Sequence, residues 1–207
     1  MFVPLEFKEV RAEEIEYLIK EFPLACVVVN TEQGLIATHL PLIKKGDDVL
    51  LGHISMENEM HKLAVHHQEV MCIFKGNDAY ISANYYPSKF EDHKKVPTWN
   101  YQAVHIYGNI EFFTDKKSKM AAIGLLTKQS EQKTNDATAW KISDAPADYI
   151  DLLLKDLIVF EVKISRILAQ SKLSQNKEKR DFDAVIQQLQ SRGNIGVANS
   201  MLRLKSK

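Results

Sequence analysis

The apolar positions of this chain fall into short, β-branched runs punctuated by Gly, Asn, Asp and Pro, a pattern of strands joined by turns. Ile15, Leu18, Ile19 and Phe22 lie at i, i+3, i+4 and i+7, which predicts an amphipathic helix ending before Pro23. Ala25 to Val29 reads as a strand, Thr31 to Gly34 as a turn, Leu35 to Ile43 as a second strand, and Val49 to His53 as a third. Ser55 is a candidate N-cap for a helix carrying Met56, Met60, Leu63, Ala64 and His67 on one face. Val70 to Phe74 and Ala79 to Tyr85 read as a hairpin around Lys75-Gly76-Asn77-Asp78.

After a polar loop from Pro87 to Asn100, Tyr101 to Phe113 forms a long strand, and Thr114 or Asp115 can cap a helix starting near Lys116 and fading by about Ser130. Ala147 to Leu154 is a short helix, and Ile158 to Leu168 the last long strand. Phe182, Val185, Ile186 and Leu189 mark a helix that Gly193 ends, before a final short helix reaching Leu204. About six strands in mostly sequential order, with few helices, predict a small antiparallel barrel. The expected organisation is a barrel domain over residues 1–170 with a helical extension, 171–207, packed on it.

Composition narrows this picture. At 207 residues, 45% of them hydrophobic, the chain can build one sizeable core. No apolar run approaches the roughly 20 residues of a membrane span, and no signal-peptide pattern opens the chain, so a cytoplasmic protein is expected. Cys26 and Cys72, each within an apolar run, read as buried reduced thiols. The formal net charge of zero hides an asymmetry: from Lys163 onward there are 10 Lys and Arg against 3 Asp and Glu. Such a basic end can follow nucleic-acid phosphates, hold one phosphorylated ligand, dock on an acidic partner, or stay solvated.

Candidate chemistry is sparse. The seven histidines form no helical two-histidine-plus-carboxylate motif, and neither a glycine-rich phosphate loop nor a nucleophile elbow is present. Two polar clusters stand out: Val96-Pro97-Thr98-Trp99-Asn100-Tyr101, and Lys172-Leu173-Ser174-Gln175-Asn176 some 70 residues later. Together they could serve one polar ligand.

With Ala37 to Leu42, Gly52-His53, Asp78 to Ser82, Tyr85 to Lys89 and Val104-His105-Ile106-Tyr107-Gly108, these clusters resemble the PaiB-type transcriptional regulators, a family of FMN-binding split-barrel proteins. The resemblance spans essentially the whole chain. It implies a six-stranded antiparallel split barrel that forms a homodimer, with FMN between the subunits; the hydropathy pattern adds no membrane association. It also implies candidate contacts. Thr38 and His39 would face the ring edge, His39 being equally a core histidine. Ser82, Ser88 and Lys89 would hold the phosphate, with a solvated loop the alternative for Lys89. Tyr85 would keep an aromatic plane, Trp99 would cover the ring or plug the barrel end, and Asn100 would bond the polar edge. Lys172, Ser174, Gln175 and Asn176 would reach the flavin or cap the last helix.

The family implies a negative regulator acting through DNA or another regulatory protein at the basic C-terminal end. The alternatives are a flavin oxidoreductase of the pyridoxamine-phosphate-oxidase-like class and a haem- or flavin-binding protein. His39 and His105, the histidines nearest the expected cleft, have no evident carboxylate partner in sequence, so binding is favoured over catalysis.

Overall fold

The computed structural model describes residues 1–205. Its strands are β1 (Leu24–Thr31), β2 (Gly34–Pro41), β3 (Ile43–Lys45), β4 (Val49–Ser55), β5 (Glu69–Ile81), β6 (Thr98–Phe113) and β7 (Leu157–Lys172). The helices are α1 (Ala12–Glu21), α2 (Met60–Leu63), α3 (Lys89–Asp92), α4 (Lys116–Thr134), α5 (Ala147–Lys155), α6 (Lys179–Ser191) and α7 (Ile195–Lys205). The strands make one mainly antiparallel sheet in the order β2-β1-β5-β6-β7-β4-β3. It is a seven-stranded open sheet and not the six-stranded closed barrel expected, with β2 and β3 as its two edges.

Three local corrections change the expected strands. The expected second strand is broken at Leu42, whose amide donates to Pro23 O (2.8 Å) rather than to a ladder, and this frees β3 to pair separately with β4. The turn expected at Lys75 to Asp78 does not form, because β5 runs straight through it as one strand of 13 residues. An ion pair of Lys75 with Asp78 lies along that strand, and Gly76 leaves room for the Leu18 side chain, whose Cδ2 a Cβ would meet at 3.0 Å. Third, β6 begins at Thr98, so Trp99 and Asn100 are strand residues and not loop. Ser55 does not cap a long helix: its hydroxyl accepts from Glu57 N (3.1 Å), and α2 is a single turn. Asp115 does cap α4, accepting from Ser118 N (2.9 Å).

The chain divides into two compact units. One holds Met1–Leu18, Lys75–Val104 and the described residues from Leu168 on; the other holds Ile19–Phe74 and His105–Ile167. In the first, Ala79, Ile81, Tyr86, Leu173, Val185, Ile186, Leu189 and Met201 make a buried apolar cluster beneath α6 and α7. These positions follow the helical period expected for Phe182 to Leu189.

The first unit also contains a buried polar chain. Glu9 takes three hydrogen bonds from Arg11, one through its amide, and one from the Ser171 hydroxyl (2.7 Å). Gln102 Nε2 donates to Ser171 Oγ (2.9 Å) and to Glu14 Oε1 (2.8 Å), and Arg203 donates to both oxygens of Glu14.

In the second unit, α4 covers Ile43, Leu51 and Val159 with Ala122 and Leu126. Cys72 is buried there, which pushes its thiol up to about 12, and Cys26 is half-buried. No described helix is long and apolar enough to cross a membrane.

Close approach of β6 to β7 depends on Gly108, where an added Cβ would strike the Lys163 carbonyl oxygen and come within 2.8 Å of its carbon. Backbone on both sides cannot yield as a flexible side chain can. Gly108→Ala is therefore expected to lower unfolding stability by about 1–3 kcal/mol, read as a reduced urea midpoint with unchanged slope. Glu9 supplies a pH dependence. Burial alone would raise its pKa, but the hydrogen bonds from Arg11 and Ser171 outweigh it and hold the carboxyl below its ordinary 4.5. Its stabilising contribution is thus complete above 4.5 and fades as pH falls through the lowered folded value. Urea titrations from about pH 7 down to pH 3 should show Glu9→Gln less stable at neutral pH, with the gap to wild type narrowing on acidification.

Candidate functional site

The two polar clusters meet in the structure, and they are laced to each other. Lys172 Nζ donates to Thr98 Oγ1 (2.8 Å), Ser174 Oγ to Asn100 Oδ1 (3.0 Å), and Tyr101 Oη to Gln170 Oε1 (3.3 Å). Asn100 is fully buried, and its amide nitrogen donates to Met201 Sδ (3.6 Å). Ser174 adopts φ 63°, a left-handed conformation in which its hydroxyl reaches the Asn100 carbonyl. Gln175 donates to Ser171 O (2.6 Å) and Glu6 O (3.2 Å) while accepting from Leu173 N (2.8 Å). Asn176 donates to Glu6 Oε1 (3.2 Å), and the residue at the N-cap of α6 is Glu178.

The proposed phosphate residues lie in the same unit. Ser88 is buried, and both its amide (3.0 Å) and its hydroxyl (2.5 Å) donate to Asp181, itself 1% exposed. A serine hydroxyl has one hydrogen, so in this arrangement Ser88 has none left for a phosphate. Lys89 donates to the Asn84 side-chain oxygen, and Ser82 Oγ accepts from Asn84 N (3.2 Å). Arg192 lies 5.1 Å over the half-buried Tyr85 ring. Tyr86 is fully buried near Ser174 and Asp181, its hydroxyl makes no geometrically formed hydrogen bond among the described residues, and burial raises its pKa.

The surface of this unit carries an exposed aromatic pair. Trp99 is 52% exposed and Tyr80 49%, and their rings meet edge to face at 5.9 Å between centroids. Strand alternation explains why: Thr98, Asn100 and Gln102 are held by side-chain hydrogen bonds, and Trp99 between them points away. A flat apolar ligand fits this chemistry, with the exposed faces of Trp99 and Tyr80 free to stack on it.

The second unit holds the remaining expected residues. Thr38 is half-buried on β2 and His39 is exposed, so His39 is not a core histidine. His53 and His105 are half-buried, each with an Nδ1 lacking a hydrogen-bond partner among the described residues, and burial lowers both pKa values. Arg166 stacks 4.0 Å over Tyr107, and Ser165 Oγ donates to Tyr107 O (3.1 Å). Sequence reasoning passed over Tyr80 and the Tyr107–Arg166 stack. Both were findable, since each large aromatic alternates with buried neighbours along its strand.

A family described as "Putative FMN-binding domain" matches residues 1–166. The chain belongs to this FMN-binding family. It is also 36% identical over 199 residues to the "Protease synthase and sporulation protein PAI 2" of Bacillus subtilis (strain 168), covering 94% of this chain and 91% of that one. The PaiB-type resemblance of the sequence motifs is thereby established.

Two solved structures share the fold. The FAD and heme binding protein of Mycobacterium smegmatis aligns with TM-score 0.60 at 15% identity, over 86% of this chain and 79% of its own. The flavocytochrome Anf3 of Azotobacter vinelandii aligns with TM-score 0.59 at 14% identity, over 86% and 75%.

The contrast between Ser88 and Lys89 is measurable. Ser88→Ala removes a buried hydroxyl from a buried carboxylate and should cost about 1–3 kcal/mol in urea unfolding. Lys89→Ala, which loses only a surface contact, should stay within about 0.5 kcal/mol of wild type. Equal effects would show that the Ser88–Asp181 link does not anchor this segment.

Proposed function

We propose that this protein is a PaiB-type negative regulator whose effector is a flavin of the FMN class, bound at a cleft completed by a homodimer. The observation that carries the reading is similarity along nearly the full chain to a relative named for protease synthase and sporulation, within an FMN-binding family. The exposed pair Trp99 and Tyr80 supports it physically, since a planar isoalloxazine needs an apolar face to stack on. A bound flavin would supply a planar ring whose redox state can change. The chain's part is to stack that ring, shield it and pair its charge.

The downstream partner in this reading is DNA or another regulatory protein, met at the basic C-terminal end. Several cations there are already engaged: Lys179 with Asp183, Arg180 with Glu91 and Glu178, and Arg203 with Glu14. This favours a protein partner over phosphate tracking, which depends on cations released to the nucleic acid. Catalysis ranks lower because, among the described residues, the Nδ1 atoms of His53 and His105 have no hydrogen-bond partner to orient either ring as a base. That one structural neighbour is a FAD and heme binding protein and the other a flavocytochrome supports flavin or haem binding as the alternative reading.

The test is FMN titration followed by flavin fluorescence, with the absorption spectrum of the purified protein and its sedimentation. Saturable FMN binding by a dimer is expected, and Trp99→Ala should weaken it by about tenfold, the worth of one stacked aromatic face. Absence of FMN binding overturns the flavin reading. A Soret band replaces it with haem binding, and rapid flavin bleaching by NADH or NADPH, above about one per second, replaces it with an oxidoreductase.

A further inference from the structure

His66, His67 and Glu111, in the second unit, stand apart from every residue used above. Each offers one ligand atom, and the three atoms lie within 4.8 Å of one another, His66 Nε2 being 3.9 Å from Glu111 Oε1. Consecutive side chains on extended backbone point to opposite faces, so two neighbouring histidines do not ordinarily converge. Here His67 adopts φ 65°, and the two imidazole centroids come to 4.0 Å. Residues other than glycine seldom take this conformation, and it persists where surrounding bonds enforce it.

Those bonds are present. The His67 amide donates to Ile110 O (2.8 Å), and the His67 carbonyl accepts from Asn109 Nδ2 (2.7 Å). Gln68 closes the other side, donating to Asn30 O (2.8 Å) and accepting from Val65 N (2.5 Å). The backbone beneath the rings is therefore fixed to β6, the strand that carries Glu111. The rings themselves remain exposed.

We propose that His66, His67 and Glu111 form a surface site for a divalent transition metal of the zinc class, with the remaining coordination positions left to water. Two imidazoles and one carboxylate are a donor set suited to zinc and unsuited to magnesium or calcium, which take oxygen ligands. With metal–ligand bonds near 2.1 Å, tetrahedral ligands sit about 3.4 Å apart, so closing the widest pair needs about 0.7 Å of movement from each side chain. Exposed rings and a solvated carboxylate can make that adjustment without moving the backbone. The sequence concealed the set because residues 66, 67 and 111 match no local ligand spacing.

The test is calorimetric titration of the full chain with Zn²⁺, with Mg²⁺ as control, and Co²⁺ absorption to report coordination. One Zn²⁺ per chain is expected, with no heat from Mg²⁺. His67→Ala and Glu111→Gln should each weaken Zn²⁺ by tenfold or more, whereas His61→Ala, whose ring bonds Asn58 O (2.6 Å), should leave it unchanged. All three positions are on or near the surface, and circular dichroism with urea unfolding confirms that each variant folds. Absence of Zn²⁺ binding, or binding equally strong in folded His67→Ala and Glu111→Gln, overturns the proposal. Loss of binding in His61→Ala alone would do the same.

Discussion

A buried chain of polar side chains holds the first unit together. Glu9, Ser171, Gln102, Glu14 and Arg203 are joined in that order, so the N-terminal segment, α1, β6, β7 and α7 share one hydrogen-bond network. Burying two carboxylates is unfavourable unless each is paired and its remaining lone pairs satisfied. Arg11 and Arg203 provide the pairing, and Ser171 and Gln102 the remaining bonds. A network of this kind acts through the cost of breaking it: removal of one member leaves a buried charge or donor unmet, a larger penalty than the net gain from forming the bond. The segments that carry the candidate site are positioned by this constraint.

The rungs between β6 and the end of β7 extend the same logic outward. Thr98 with Lys172, Asn100 with Ser174 and Gln102 with Ser171 join alternate residues of β6 to the end of β7 and the turn that follows it. The two motifs most specific in the sequence therefore have a structural use that does not need a ligand. Their likeness to the family's motifs follows from shared architecture as well as from any shared ligand.

This bears on how much the sequence disclosed. Periodicity located α1, β1, β4, α5 and the paired terminal helices closely, because each has an apolar face of a single period. It misplaced the turn at Lys75 to Asp78, where a glycine and three polar residues look like a hairpin but form a solvated stretch of one strand. The signal was ambiguous since turn chemistry and an exposed strand segment share the same residue types. Among the site residues, alternation could have separated Trp99 from Asn100, one outward and one inward. No local pattern could have revealed that Asp181 takes both donors of Ser88, a contact across 93 positions.

The position of Trp99 then follows from its neighbours. An exposed indole on a lone strand end would be free to rotate and would lose entropy on stacking with a ligand. Here Thr98 and Asn100 are fixed from below by Lys172 and Ser174, and Tyr80 meets the ring from the side. The backbone on both sides of Trp99 is thus set before any ligand arrives. Preorganisation of this kind lowers the cost of binding a flat molecule without adding a contact, and in the proposed reading the rungs would serve recognition by holding the backbone on either side of Trp99.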